Sequence, residues 1–297
     1  MTGAIVENRQ SADRANAWRG YALVSPAYLW LLLAVFLPLS AMVYFSFLSS
    51  NVFDSGSAQF TLGNYLSFIR RPVYPILLWR SVLLGIIVTA LCCFIGLFAG
   101  LALARALPGR ARALVFMLIL LPFWTSGLVR VFSWVVVLRT GGVLDSVVNW
   151  LVPGAGPTGI LYTYTAIVIG LVHAYLPYMI ITCYLSALAI DDSILDAARS
   201  LGATWPRVFR RVVLPLMLPG LGVGAVLTFV PVVGSFMEPR LLGGRSGTVF
   251  GTIIEDQFTA VFNWPLGAAL SFIMLAVVLV IMAISAPLLR DRREMLK

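Results

Sequence analysis

The stretch DAARSLGATWPRVFRRVVLPLMLPG, Asp196 to Gly220, stands between two long apolar runs and resembles neither. It continues from AIDDSIL, so that Ile194, Leu195, Ala198 and Leu201 recur at the spacing of an amphipathic helix, with Asp191 or Asp192 placed to cap its start. Gly202 is the expected stop. TWPRVFRRVVLP (204–215) then opens a second helix, with Thr204 near the cap and Pro206 in the first turn, where proline costs least. The expected product is a helix, a turn and a second helix running on into the apolar segment, which is more than a chain needs to reverse direction. Ala197, Ala198, Gly202 and Ala203 form a small-residue surface suited to insertion into a cleft of another protein. The alternative is an interfacial helix held on lipid by its arginines and aliphatics.

The flanking composition decides where this elbow sits. Of 297 residues 60% are hydrophobic and 11% charged, far more apolar than a soluble core requires. Six stretches are long enough to cross about 30 Å of hydrocarbon: 22–47, 77–104, 113–138, 161–188, 212–236 and 266–289. The expected organisation is an N-terminal tail (1–21), an all-α polytopic domain of six transmembrane helices (22–289) containing the elbow at 191–211, and a C-terminal tail (290–297). The N-terminus is too polar for a cleaved signal peptide.

Lys and Arg set the orientation. The two tails, the short connection RALPGRAR (105–112) and the elbow loop hold 14 of the 21 basic residues. All four segments fall on one side if six spans are right, and that side is expected to be cytoplasmic, with both termini inside. The net charge of +9 therefore reads as membrane topology and not as nucleic-acid binding, since no basic stretch is interleaved with aromatics. GLFAG (Gly96–Gly100) and GLGVG (Gly220–Gly224) place small residues four apart, which suits close helix packing, either within the chain or against another subunit. Pro122 and Pro177 lie inside spans three and four and favour kinks.

Catalytic signatures are missing. There is no phosphate-loop motif, since GGRSGT (243–248) lacks the required lysine, and no H-E-x-x-H, paired C-x-x-C or G-x-S-x-G. Cys92, Cys93 and Cys183 lie within apolar runs as small core residues, and one histidine, His173, cannot build a histidine-based metal cluster. A non-catalytic chain with no cofactor of its own is expected.

Asp196-Ala197-Ala198, three residues, Gly202, then Leu214-Pro215 resembles the EAA signature of binding-protein-dependent ABC importer permeases, with Asp in place of the first Glu. LPFWTSGLVR (121–130), FVPVVGSFMEPRLLGG (229–244) and NWPLGAALS (263–271) resemble the spermidine/putrescine permease branch, although relatives for opine-like compounds, amino-acid derivatives or iron share parts of them. The resemblance implies a type I importer permease fold paired with a second, related permease, two copies of a cytoplasmic ATPase that hold ATP and Mg, and an external solute-binding protein. It makes the elbow the coupling helix, carried by Asp196, Ala197, Ala198, Leu201, Gly202, Ala203 and Pro215. It implies a small cationic solute such as spermidine or putrescine. A secondary carrier acting without ATPase is the competing class, and the lack of a repeated half speaks against it.

Within the spans, Arg130 is a charge in hydrocarbon and so a default functional candidate, followed by Trp134. It would repel a cationic solute, and snorkelling or subunit packing are its alternatives. Trp134, Tyr175 and Tyr178 offer ring faces for cation-π contact, and Glu238 offers a carboxylate. Glu255 and Asp256 are expected on the outer side, solvated or touching the binding protein. His173 is expected to be a hydrogen-bonded interior residue before a ligand.

Overall fold

The computed structural model describes the backbone of residues 2–49 and 59–294 and the side chains of 24–49 and 59–285. The tails expected at 1–21 and 290–297 lie outside the fully described residues. In chain order the helices are α1 (Thr2–Ser46), α2 (Gly63–Arg70), α3 (Val73–Arg105), α4 (Gly109–Leu120), α5 (Gly127–Leu138), α6 (Val143–Leu151), α7 (Tyr164–Leu188), α8 (Asp192–Ser200), α9 (Trp205–Val208), α10 (Leu214–Val233), α11 (Met237–Gly243), α12 (Phe250–Thr259) and α13 (Trp264–Glu294). Among the described residues the one β contact is an isolated bridge between Leu48 and Phe60.

Among the described residues, six helical segments are long and apolar enough to cross a membrane: Val24–Ser46, Val73–Arg105, Gly127–Leu151, Tyr164–Leu188, Trp205–Val233 and Trp264–Ser285. The third departs from the sequence expectation of one helix over 113–138. Proline cannot continue an i→i−4 ladder, and Leu121–Trp124 around Pro122 tightens into a 3-10 turn. Thr125 and Ser126 are extended, and helix restarts at Gly127. A further turn through Gly141, at φ +70°, separates α5 from α6. Pro177 instead sits buried in an uninterrupted α7.

The centre of the fold is α3, α7 and α10. In lipid, helices gain little from hiding apolar surface, so association rests on close packing and small residues. A Cβ on Gly100 would lie 2.7 Å from Cys183 Cβ and 2.8 Å from Tyr184 N, and one on Gly96 would lie 2.4 Å from Met179 Cγ. From α10, a Cβ on Gly220 would lie 2.5 Å from Thr182 O, and one on Gly224 would lie 2.5 Å from Met179 Sδ. Both small-residue motifs are thus spent inside the chain, clamping α7 between α3 and α10, and not on another subunit. Val88, Cys92, Ile167, Leu171, Met179, Cys183 and Met217 fill the resulting core.

At the end of the fold remote from the elbow, α10 stops at Val233, packed on Gly85 in the interior of α3. The chain then returns along its neighbours: Leu242 of α11 packs on Gly170 of α7, Gly243 on Ile167, and Tyr162 N–H donates to Leu242 O at 2.8 Å. The N-terminus of α12 is anchored by a 2.9 Å bond from Phe250 N–H to Ser81 Oγ of α3. Arg240 joins α11 to α12 by pairing with Glu255 at 3.0 Å and with Asp256. These two acids, expected to be solvated or to face a partner, are therefore engaged within the chain.

Candidate functional site

The elbow is built from local rules. Asp191 caps α8, accepting from Ser193 N–H at 2.9 Å, and this bond together with the Ser193 hydroxyl holds the carboxyl below the usual carboxylate range. At the other end the chain makes a Schellman turn. Ala203 N–H donates to Ala198 O at 3.2 Å and Gly202 N–H to Arg199 O at 2.8 Å, with Gly202 at φ +77°. Thr204 precedes α9, with Pro206 in its first turn, and a π-turn at Phe209–Val213 carries the helix into α10, where Pro215 is half-buried.

Leu195 turns inward beside Ile190, Val208 and Ala104, and Ala198 and Ala203 pack against the same cluster. The small-residue surface expected from sequence is therefore divided, since Ala198 and Ala203 face the body of the protein. The outward face comprises Ile194, Ala197, Leu201 and Gly202, flanked by Trp205. Leu201 is 88% exposed. Asp196 lies on the exposed side and pairs with Arg199 at 3.2 Å.

The second cluster lies where α5, α7 and α11 meet. Trp134 Nε1–H donates to His173 Nδ1 at 3.1 Å, so the imidazole carries its proton on Nε2. Beside them a cavity of about 370 Å³ is lined by Pro122, Thr125, Arg130, Ser133, Trp134 and His173, among others. The break at Pro122 supplies part of its wall, through Leu121, Pro122 and Thr125. The Thr125, Ser133 and Trp134 donors are already engaged, by Pro122 O, Val129 O and His173 Nδ1. Arg130 offers a guanidinium whose buried Nε has no acceptor, and no carboxylate is among the lining residues.

Tyr175 feels the charge of both Arg130 and Glu238. Tyr175 stacks on Tyr178 with ring centroids 6.2 Å apart, and Tyr178 meets Phe123 edge-on at 4.6 Å. Among the described residues, neither Arg130 nor Glu238 forms an ion pair with a protein group. All six residues singled out from sequence thus share one neighbourhood. Sequence reasoning missed Thr125 and Ser133, whose only signal was their nearness to Pro122 and Arg130, and missed that Arg240 would occupy Glu255 and Asp256. Among the described residues there is no group of three or more His, Cys, Asp or Glu arranged to hold a metal ion.

The chain is similar to several known proteins. The spermidine/putrescine transport system permease protein PotB of Escherichia coli K12 is 36% identical over 242 residues, covering 82% of this chain and 87% of PotB. The Haemophilus influenzae PotB is 34% identical over 248 residues, covering 84% of this chain and 86% of its own length. A chain of a bacterial ABC transporter involved in the import of the polysaccharide alginate superimposes with a TM-score of 0.78 at 17% identity. It covers 95% of this chain and 99% of its own length, a likeness of fold alone. Residues 94–293 match the family described as binding-protein-dependent transport system inner membrane component. The chain belongs to that family, on the branch of the spermidine/putrescine permeases, and is a non-catalytic, polytopic inner-membrane permease subunit of an ABC importer for a small solute.

Proposed function

We propose that this permease carries a small cationic solute of the polyamine class, spermidine or putrescine. The observation that carries the reading is the identity of 36% over 242 residues to a spermidine/putrescine permease. Glu238 supplies the anionic contact for an ammonium group, with the Tyr175 and Tyr178 rings beside it for cation-π contact. The elbow faces the cytoplasm with both termini, as the distribution of basic residues requires. The working assembly comprises a second permease, two ATPase subunits holding ATP and Mg, and an external solute-binding protein. ATP closes the ATPase pair, the elbow at 191–211 follows, and differential binding moves the route between inward-open and outward-open states.

Glu238→Gln tests the solute reading. It removes the charge at nearly constant volume, and a charge-assisted contact is worth about 1.5–3 kcal/mol. The apparent affinity for putrescine uptake in reconstituted vesicles is expected to fall about tenfold or more. An unchanged concentration dependence removes Glu238 from the site.

The Arg130 guanidinium, with no carboxylate among the lining residues, favours a second reading, a solute that also carries a carboxylate, such as an amino-acid derivative. Arg130→Gln separates the two. Uptake of a carboxylated amine by the unaltered protein that is lost in the variant supports the second reading, whereas putrescine uptake equal in both proteins, with no carboxylated amine carried by either, supports the first.

Gly202 tests the elbow. Nothing lies within 4 Å of a Cβ built there, so a side chain meets only the left-handed backbone penalty and whatever docks from outside. Gly202→Asn, which tolerates positive φ, keeps the turn. It is expected to hold more ATPase through detergent purification than Gly202→Trp, with insertion normal in both. Full ATPase recovery and transport with tryptophan would refute docking at this turn.

A further inference from the structure

Arg105 is the last residue of α3, and its guanidinium joins three helices. Nη1 meets the carboxylate of Asp192, the first residue of α8, while Nη2 donates to Ile190 O and, at 3.1 Å, to Ala187 O in the last turn of α7. The closing carbonyls of a helix have no intrahelical partner and carry the negative end of its dipole, so α7 presents a ready acceptor for a cation. Asp192 stands at the positive end of α8. The arginine side chain is 25% exposed and its acidic partner 80%, so the fixed end of the pair belongs to the body of the protein. An exposed ion pair contributes little to stability. A planar fork engaging three acceptors sets direction as well as distance.

We infer that Arg105 is the strut that makes α3 move with the elbow. Without it, α8 is joined to α7 by the short link through Ala189, Ile190 and Asp191, and to α3 only by apolar contacts around Leu195 and Ala104. Apolar contacts are non-directional and let surfaces slide. With the fork in place, a displacement of α8 draws on the ends of α3 and α7 together. These two helices are already clamped through Gly96 and Gly100, so they travel as one plate. Arg105 is a positioning residue whose effect falls on coupling and not on binding of ATP or solute. The inference rests on the elbow being the ATPase docking site.

The test uses the whole importer in lipid nanodiscs, comparing unaltered protein with Arg105→Met and Arg105→Lys. A cysteine introduced at Ser133, in the cavity wall, reports alternating access through its labelling rate with a polar thiol reagent, before and after vanadate trapping with ATP. This readout needs no knowledge of the solute. In the methionine variant, ATP hydrolysis and ATPase retention are expected to stay within about twofold of normal, while the trapping-dependent change in labelling shrinks about fivefold or more. Lysine, which keeps the charge but not the fork, should restore part of the response. An unchanged labelling response in Arg105→Met overturns the strut. So does a parallel loss of retention, hydrolysis and labelling that lysine does not relieve, which would mark Arg105 as merely structural. An unaltered importer that retains no ATPase on this chain sinks the elbow reading, and the strut with it.

Discussion

Leu201→Asp is expected to leave the permease folded in the membrane and stripped of its ATPase. Leucine at 88% exposure contributes nothing to the protein's own core, and it sits at the turn of the elbow beside Ile194 and Ala197. An exposed aliphatic flanked by Trp205 is the pattern of an anchor for a partner's pocket. Burying such a side chain contributes about 2 kcal/mol, a factor of about 30 in affinity. Aspartate forfeits that and adds the cost of desolvating a charge. The check is co-purification of ATPase with the tagged chain, scored against the yield of monodisperse permease. Leu195→Asp should behave oppositely: Leu195 is 6% exposed in the cluster beneath α8, so the elbow itself should come loose. Retention of ATPase by Leu201→Asp would mean that the docking surface lies elsewhere on the loop.

Gly100→Val is expected to lower the unfolding midpoint of the permease sharply. The obstruction is backbone: the new Cβ would stand 2.8 Å from Tyr184 N and 3.0 Å from Cys183 C, and a main chain cannot swing aside as a side chain does. Separating α3 from α7 loosens Val88, Cys92, Leu171 and Cys183 together. Overpacking costs about 1–3 kcal/mol at an ordinary core site, and here the upper end applies. Gly109→Val, where nothing lies within 4 Å, is the control and should be neutral. Thermal unfolding in detergent, followed by size-exclusion chromatography, distinguishes them. Equal midpoints would show that the two helices are less closely clamped than the geometry states.

What could be read in advance was governed by the range of the interactions. The elbow was legible because each of its devices spans a few residues: Asp191 reaches Ser193, Gly202 takes the positive φ that ends α8, and Pro206 sits where its missing N–H does no harm. The division of its surface was not legible, since whether Ala198 or Leu201 faces outward depends on where Ala104 and Val208 arrive from other elements. The same limit applies to the candidate site. Arg130, Trp134 and His173 stood out singly as polar or aromatic residues in apolar spans. The hydrogen bond joining Trp134 to His173 follows from how α5 meets α7, and the placing of Glu238 from how α11 folds back along α7. Pro122 signalled a disturbance in the third span. The extended residues after it and the fresh start at Gly127 were hidden in an apolar run that reads as continuous.

That interruption sets a condition on the lipid around it. Hydrocarbon offers no hydrogen bonds, so a stretch of open backbone persists at membrane depth only against protein or water. Wherever residues 121–126 lie within the hydrocarbon they cannot face acyl chains, although Trp124 is 91% exposed on the isolated subunit. At that depth this flank is complete as a surface only with something other than lipid against it. α4 and α5 meet at a joint instead of forming one rod, so the wall beside Arg130 follows two helix directions and not one.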